Sequence, residues 1–184
     1  MKIKRKIWGL LGVLIFMASS FVGLGNGLVA EAAPTNVDVN IYKGAYDSKP
    51  ADTQNTGEKN EAWHTSQGGR PLKDVGFTAY DATEQFYILA KANPTWTVNQ
   101  LRDAIATAGP TGLTVVGAEK TTDATGHAKF TLPDKVTVNS VEKDAVYLFV
   151  ETSRPSNITA GGAADNMVVI FPVYKMNTDG YQTF

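Results

Sequence analysis

Ala145-Val-Tyr-Leu-Phe-Val-Glu-Thr152 decides the fold. Its aromatic and β-branched residues read as a strand, and Tyr147, Phe149 and Glu151 fall on one side of it. An ionisable group is thus delivered toward an apolar face. Pro71-Leu-Lys-Asp-Val-Gly-Phe-Thr-Ala-Tyr-Asp81 and Gly126-His-Ala-Lys-Phe-Thr-Leu-Pro133 each set a strand beside a turn. Val37-Asp-Val-Asn-Ile-Tyr-Lys43 alternates with the period of a half-buried strand.

Further strands are expected over 75–80, 113–118, 128–132, 136–138, 145–151 and 167–173. Residues 47–71 are polar and rich in turn formers, and read as a long exposed loop. One helix interrupts the strands. Thr97 and Gln100 have capping-box spacing, Val98, Leu101, Ala104, Ile105 and Ala108 share a face, and Gly109-Pro110 ends it. Many short strands with one inserted helix predict a mainly β fold, an immunoglobulin-like or transthyretin-like β-sandwich.

Residues 1–32 read as a signal peptide. Lys2, Lys4, Arg5 and Lys6 precede an uncharged apolar run over 7–24, and Ala30-Glu31-Ala32 offers small residues for cleavage between Ala32 and Ala33. The alternative is an uncleaved membrane anchor, against which Gly23, Gly25, Asn26 and Gly27 break the helix. Residues 33–184 then form one domain. The whole chain carries a net charge of −1, and removing the leader makes it more acidic. That balance gives no electrostatic footprint for nucleic acid, and contact with a membrane is expected only through the leader before cleavage. With no cysteine, disulfides are excluded as staples, and what else locks an exported domain becomes a question.

In their order, these stretches resemble the N-terminal domain of the shaft (backbone) pilins that Gram-positive bacteria link by sortase. They are also similar to collagen-adhesin B-type stalk domains. The resemblance covers roughly residues 34–184. It implies a structural subunit of a covalently assembled cell-surface pilus serving adhesion, secreted and held at the Gram-positive cell wall in the intact parent. Its partners would be other pilin subunits, a pilin sortase and host surface ligands. The alternative is a ligand-binding domain of a collagen-adhesin-like surface protein; the helix and the 47–71 loop suit the pilin better. No cofactor is expected, and the chain shows no nucleophile elbow, phosphate-binding loop or metal-ligand spacing, so no enzyme is expected.

Lys43 is in phase with Val37, Val39 and Ile41, so a strand continuing that far aims it inward. Otherwise the strand ends at Tyr42 and Lys43 snorkels to the rim. Two inward ionisable groups of opposite sign are costly unless they meet, which couples Lys43 to Glu151. Burial would lower the lysine pKa and raise that of the carboxyl, a pairing suited to joining the amine to an Asn or Asp side chain. In the resemblance, Lys43 matches the isopeptide nucleophile and Glu151 the assisting acid. The acceptor Asn of those domains lies on the final strand, near a Tyr-Pro-Lys-Asn motif whose lysine sortase uses. No such motif occurs here.

Phe171-Pro-Val-Tyr-Lys175 is only superficially similar to it, which leaves Lys175 a weak linkage candidate, with Asn166 and Asn177 weak acceptors. The chain stops at Asp179-Gly-Tyr-Gln-Thr-Phe184 soon after a turn signal. A fragment lacking its last strand is expected, or else a naturally short form. His64 and His127 are isolated, and Trp63, Trp96 and Tyr46 could serve a ligand face or simply pack.

Secreted protein should begin at Ala33 by N-terminal sequencing. Retention of Trp8 in the mature protein would show that the apolar run is an anchor.

Overall fold

The computed structural model describes residues 11–16, 34–47, 63–66, 68–156, 163–177 and 180–183. Two antiparallel sheets pack face to face. The first is built on β2 (Asn36–Ala45), which pairs with β6 (His127–Pro133) from Asn36↔Pro133 to Tyr42↔His127. The short β3 (Arg70–Pro71) pairs with β2 opposite Gly44 and Ala45. The second sheet runs β10-β9-β4-β5, from Met167–Ile170, Val146–Ser153, Gly76–Asp81 and Thr114–Thr121.

Period-two alternation explains the layering. Val37, Val39 and Ile41 of β2 and Phe130 and Leu132 of β6 meet Phe77, Ala79, Tyr147, Phe149 and Val169 of the second sheet in one buried cluster. Phe130 and Phe149 touch edge to face across it, with ring centroids 5.1 Å apart. The alternate residues of β9 and β10, Val146, Leu148 and Val168, face the other way into a second cluster with the helices. β9 is therefore buried on both faces, as its nearly continuous apolar sequence requires.

The outer cluster is roofed by α2 (Thr83–Ala92) and α3 (Val98–Ala108). α3 is the expected helix: Thr97 Oγ1 accepts from the Gln100 N–H, the Gln100 side chain accepts from the Thr97 N–H, and Leu101 and Ile105 are buried. α2 was not expected. Its continuous apolar run Phe86-Tyr-Ile-Leu89 masks the helical spacing of Ala82, Phe86, Leu89 and Ala90, and its start depends on tertiary bonds. Asp81 Oδ1 accepts the Thr83 N–H, and Thr83 Oγ1 in turn accepts the Val146 N–H of β9. These bonds dock the helix on the strand it covers.

Within 47–71 the described residues include α1 (Trp63–Ser66) and β3; 48–62 lie outside the described residues. β7 (Lys135–Val138) and β8 (Val141–Asp144) form a hairpin whose two turn residues, Asn139 and Ser140, both have positive φ, as a tight two-residue turn requires. β11 (Tyr174–Asn177) pairs with β12 (Gly180–Thr183).

Inside the expected leader, Leu11–Phe16 forms β1, antiparallel to β2 from Leu11↔Lys43 to Phe16↔Asp38. The Lys43 N–H donates to Gly126 and its carbonyl accepts from Leu72, so the β6 and β3 side of β2 is already committed. β1 therefore takes the opposite edge, satisfying backbone groups that would otherwise lack ladder partners.

Gly126 fixes the end of β2. It has φ +75°, and a Cβ there would press into the Lys43 carbonyl oxygen. Gly117 has φ +72° with open space around it. Gly117→Ala should lose about 1–2 kcal/mol from the left-handed conformation alone. Gly126→Ala should lose clearly more in urea denaturation; equal losses would show that the close approach to Lys43 is unimportant.

Candidate functional site

At the end of the sandwich Lys43 and Glu151 meet across the two sheets. Nζ lies 2.9 Å from Glu151 Oε2, and the two side chains are 1% and 2% exposed. β2 brings the lysine inward because Lys43 keeps the phase of Val39 and Ile41, which line the same core. The rim alternative is therefore not realised. β9 brings Glu151 to the same side as Tyr147 and Phe149, opposite Phe77 of β4.

Each partner is fixed by further bonds. The Lys43 backbone is held at 2.7 Å by the Gly126 carbonyl and at 2.9 Å by the Leu72 N–H. Glu151 Oε2 also accepts the Ala164 N–H at 2.8 Å, and Oε1 faces Arg154 Nε at 3.1 Å. The carboxylate thus receives donors from three segments. Burial pushes the Lys43 amine below the ordinary lysine range; the facing Glu151 charge opposes that shift, Arg154 adds to it and Asp165 opposes it.

Such an arrangement supports two outcomes. As a static ion pair it offsets the desolvation of both groups without adding much stability. As a reactive pair it offers an amine that gives up its proton more readily than an exposed lysine, with a carboxylate in contact to take that proton.

Asn166 lies apart from the pair: its Nδ2 donates to the Ala106 carbonyl of α3 at 2.9 Å. Lys175 and Asn177 sit on β11 opposite Gln182 and Gly180, and their side chains lie outside the described residues. Ala32 and Ala33 also lie outside them, as do the side chains of Trp63 and His64. His127 is used in packing, with Nε2 2.8 Å from Asn40 Oδ1 and its ring stacked on Tyr42. Tyr46 is buried in the core, whereas Trp96 is 40% exposed beside the start of α3.

Among the described residues no group of three or more His, Cys, Asp or Glu could hold a metal. No helix among them is long and apolar enough to cross a membrane. Sequence reasoning missed Arg154 and the Ala164 N–H. Arg154 stands three residues beyond Glu151, past the end of β9, where strand alternation no longer tells where a side chain goes.

No curated protein matches this chain. Among solved structures, it is 32% identical to the SpaB basal pilin from Lactobacillus rhamnosus GG, with a TM-score of 0.45, covering 54% of this chain and 72% of that one. It is 23% identical to the shaft pilin SpaA of the same organism, with a TM-score of 0.44, covering 71% of this chain and 41% of that one. Against the N-terminal domain of SpaA alone, identity is 16% and the TM-score 0.44, over 97% of this chain and 94% of that domain. The chain thus spans less than half of the full shaft pilin it matches. Residues 34–183 match the family described as Gram-positive pilin subunit D1, N-terminal domain, and the chain belongs to that family.

Proposed function

We propose that this domain is a structural unit of a covalently assembled cell-surface pilus, and that Lys43, assisted by Glu151, closes an internal amide staple onto an acceptor Asn. The observation carrying this reading is the fully buried 2.9 Å pair, placed beside the β2 edge that β1 occupies. Signal-peptide cleavage between Ala32 and Ala33 would remove β1. The vacated slot, beginning beside Lys43, suits the domain's last strand with the acceptor Asn on it.

The chemistry balances without a cofactor. Lys43 passes its extra proton to Glu151, and the neutral Nζ attacks the carboxamide carbon of the acceptor. The protonated carboxyl polarises the carbonyl as the C–N bond to Nζ forms. The bond to the amide nitrogen then breaks. That nitrogen leaves as ammonia, with its own two hydrogens and one from the amine. Asn166 is a poor acceptor because its amide is bonded to α3.

The assembly lysine is expected in the same final strand as the acceptor, with a pilin sortase joining it to the next subunit and the fibre held at the cell wall. A covalent tie between strands of the two sheets would let a domain without cysteine carry load along the fibre. Contact with host surfaces would be a property of the assembled fibre.

Intact mass tests this reading. Mature 33–184 should have the mass of its plain sequence, whereas a parent pilin continuing through the last strand should lack one ammonia. Lys43→Ala should restore it. A parent that retains its full mass would overturn the staple.

A further inference from the structure

Arg154 turns back over Glu151, with Nε 3.1 Å from Oε1 and its side chain only 24% exposed. Its Nη1 is buried with no hydrogen-bond partner among the described residues. With Nη1 shielded from water, the guanidinium leans on the anion beside it, and that anion is Glu151. One carboxylate therefore serves two cations, Lys43 through Oε2 and Arg154 through Oε1. Asp165, on the segment leading into β10, is the further charge acting on Lys43.

We propose that Arg154 is a positioning residue that opposes transfer of the shared proton from Lys43 to Glu151 and so restrains closure of the amide staple, an inference that rests on the staple reading above. Before the amine can attack, a proton must move from Nζ to Oε2. That move neutralises the carboxylate, strips Arg154 of its counter-charge and brings positive charge toward the guanidinium. The intact ion pair is thereby favoured over the neutral amine and acid.

Arg154 also fixes the carboxylate plane. Oε1 is bonded to the guanidinium, so Oε2 alone is presented to the amine, steadied by the Ala164 N–H. Closure still proceeds, but from a less populated neutral pair. The domain then folds around a settled ion pair and closes slowly, after the acceptor strand has found its place.

Two measurements test this. In the parent pilin, ammonia loss after refolding should run roughly tenfold faster in Arg154→Met, as expected for removing a unit charge in contact with the proton acceptor. Arg154→Lys should keep the wild-type rate. An unchanged or slower rate in Arg154→Met overturns the proposal.

In residues 33–184, where no closure is needed, NMR titration of the Lys43 side chain should move to higher pH in Arg154→Met and remain in place in Arg154→Lys, because the like charge of Arg154 eases loss of the proton to solvent even as it opposes its transfer to Glu151. An unmoved titration also overturns the proposal, whether or not the parent closes. A moved titration with no ammonia loss in any variant overturns the staple reading, and the restraint on closure with it.

Discussion

The ion pair between Lys43 and Glu151 is the constraint on which the surrounding structure depends. Two opposite charges sit in the core, one on each sheet, at 1% and 2% exposure. Each would be prohibitive alone, and together they roughly break even against an apolar pair. The fold therefore has to hold them together. Gly126 and Leu72 fix the lysine backbone, and the Ala164 N–H and Arg154 fix the carboxylate. Small changes in how the two sheets pack would separate the charges, so the pair also specifies the alignment of β2 with β9.

Around this point the layers have distinct tasks. The sandwich core of aromatic and aliphatic residues keeps water from the pair. α2 and α3 cover the opposite face of the second sheet, so that β9 is packed on both sides. Glu151 is mounted on that strand. Lys43 is mounted on β2, whose far edge is lined by β1 in this structure. The two charged partners thus belong to different sheets, one on a strand packed on both faces and one on a strand whose far edge β1 covers.

The sequence made the strands of the sandwich, α3 and the burial of the pair legible, because each follows from a short local rule. Period two placed Lys43 with Val39 and Ile41 and Glu151 with Tyr147 and Phe149. A capping box placed the start of α3. α2 escaped because its start depends on Asp81, Thr83 and a strand more than sixty residues away. Arg154 escaped for a related reason: outside regular structure, spacing does not say where a side chain points. Asn166 shows the same limit. It precedes β10, and only the structure shows its amide spent on α3. Local rules read elements well; contacts made by chain leaving an element need the third dimension.

The dependence of the fold on a matched pair of buried charges is tested most directly by a double-mutant cycle in the protein trimmed to residues 33–184. Glu151→Leu alone should cost about 3–5 kcal/mol in urea denaturation, because it leaves Lys43 buried without its carboxylate. Adding Lys43→Met should recover a large part of that loss, so that the double variant is more stable than Glu151→Leu. Losses that simply add would contradict the account, since they would mean that the two side chains act independently in the core.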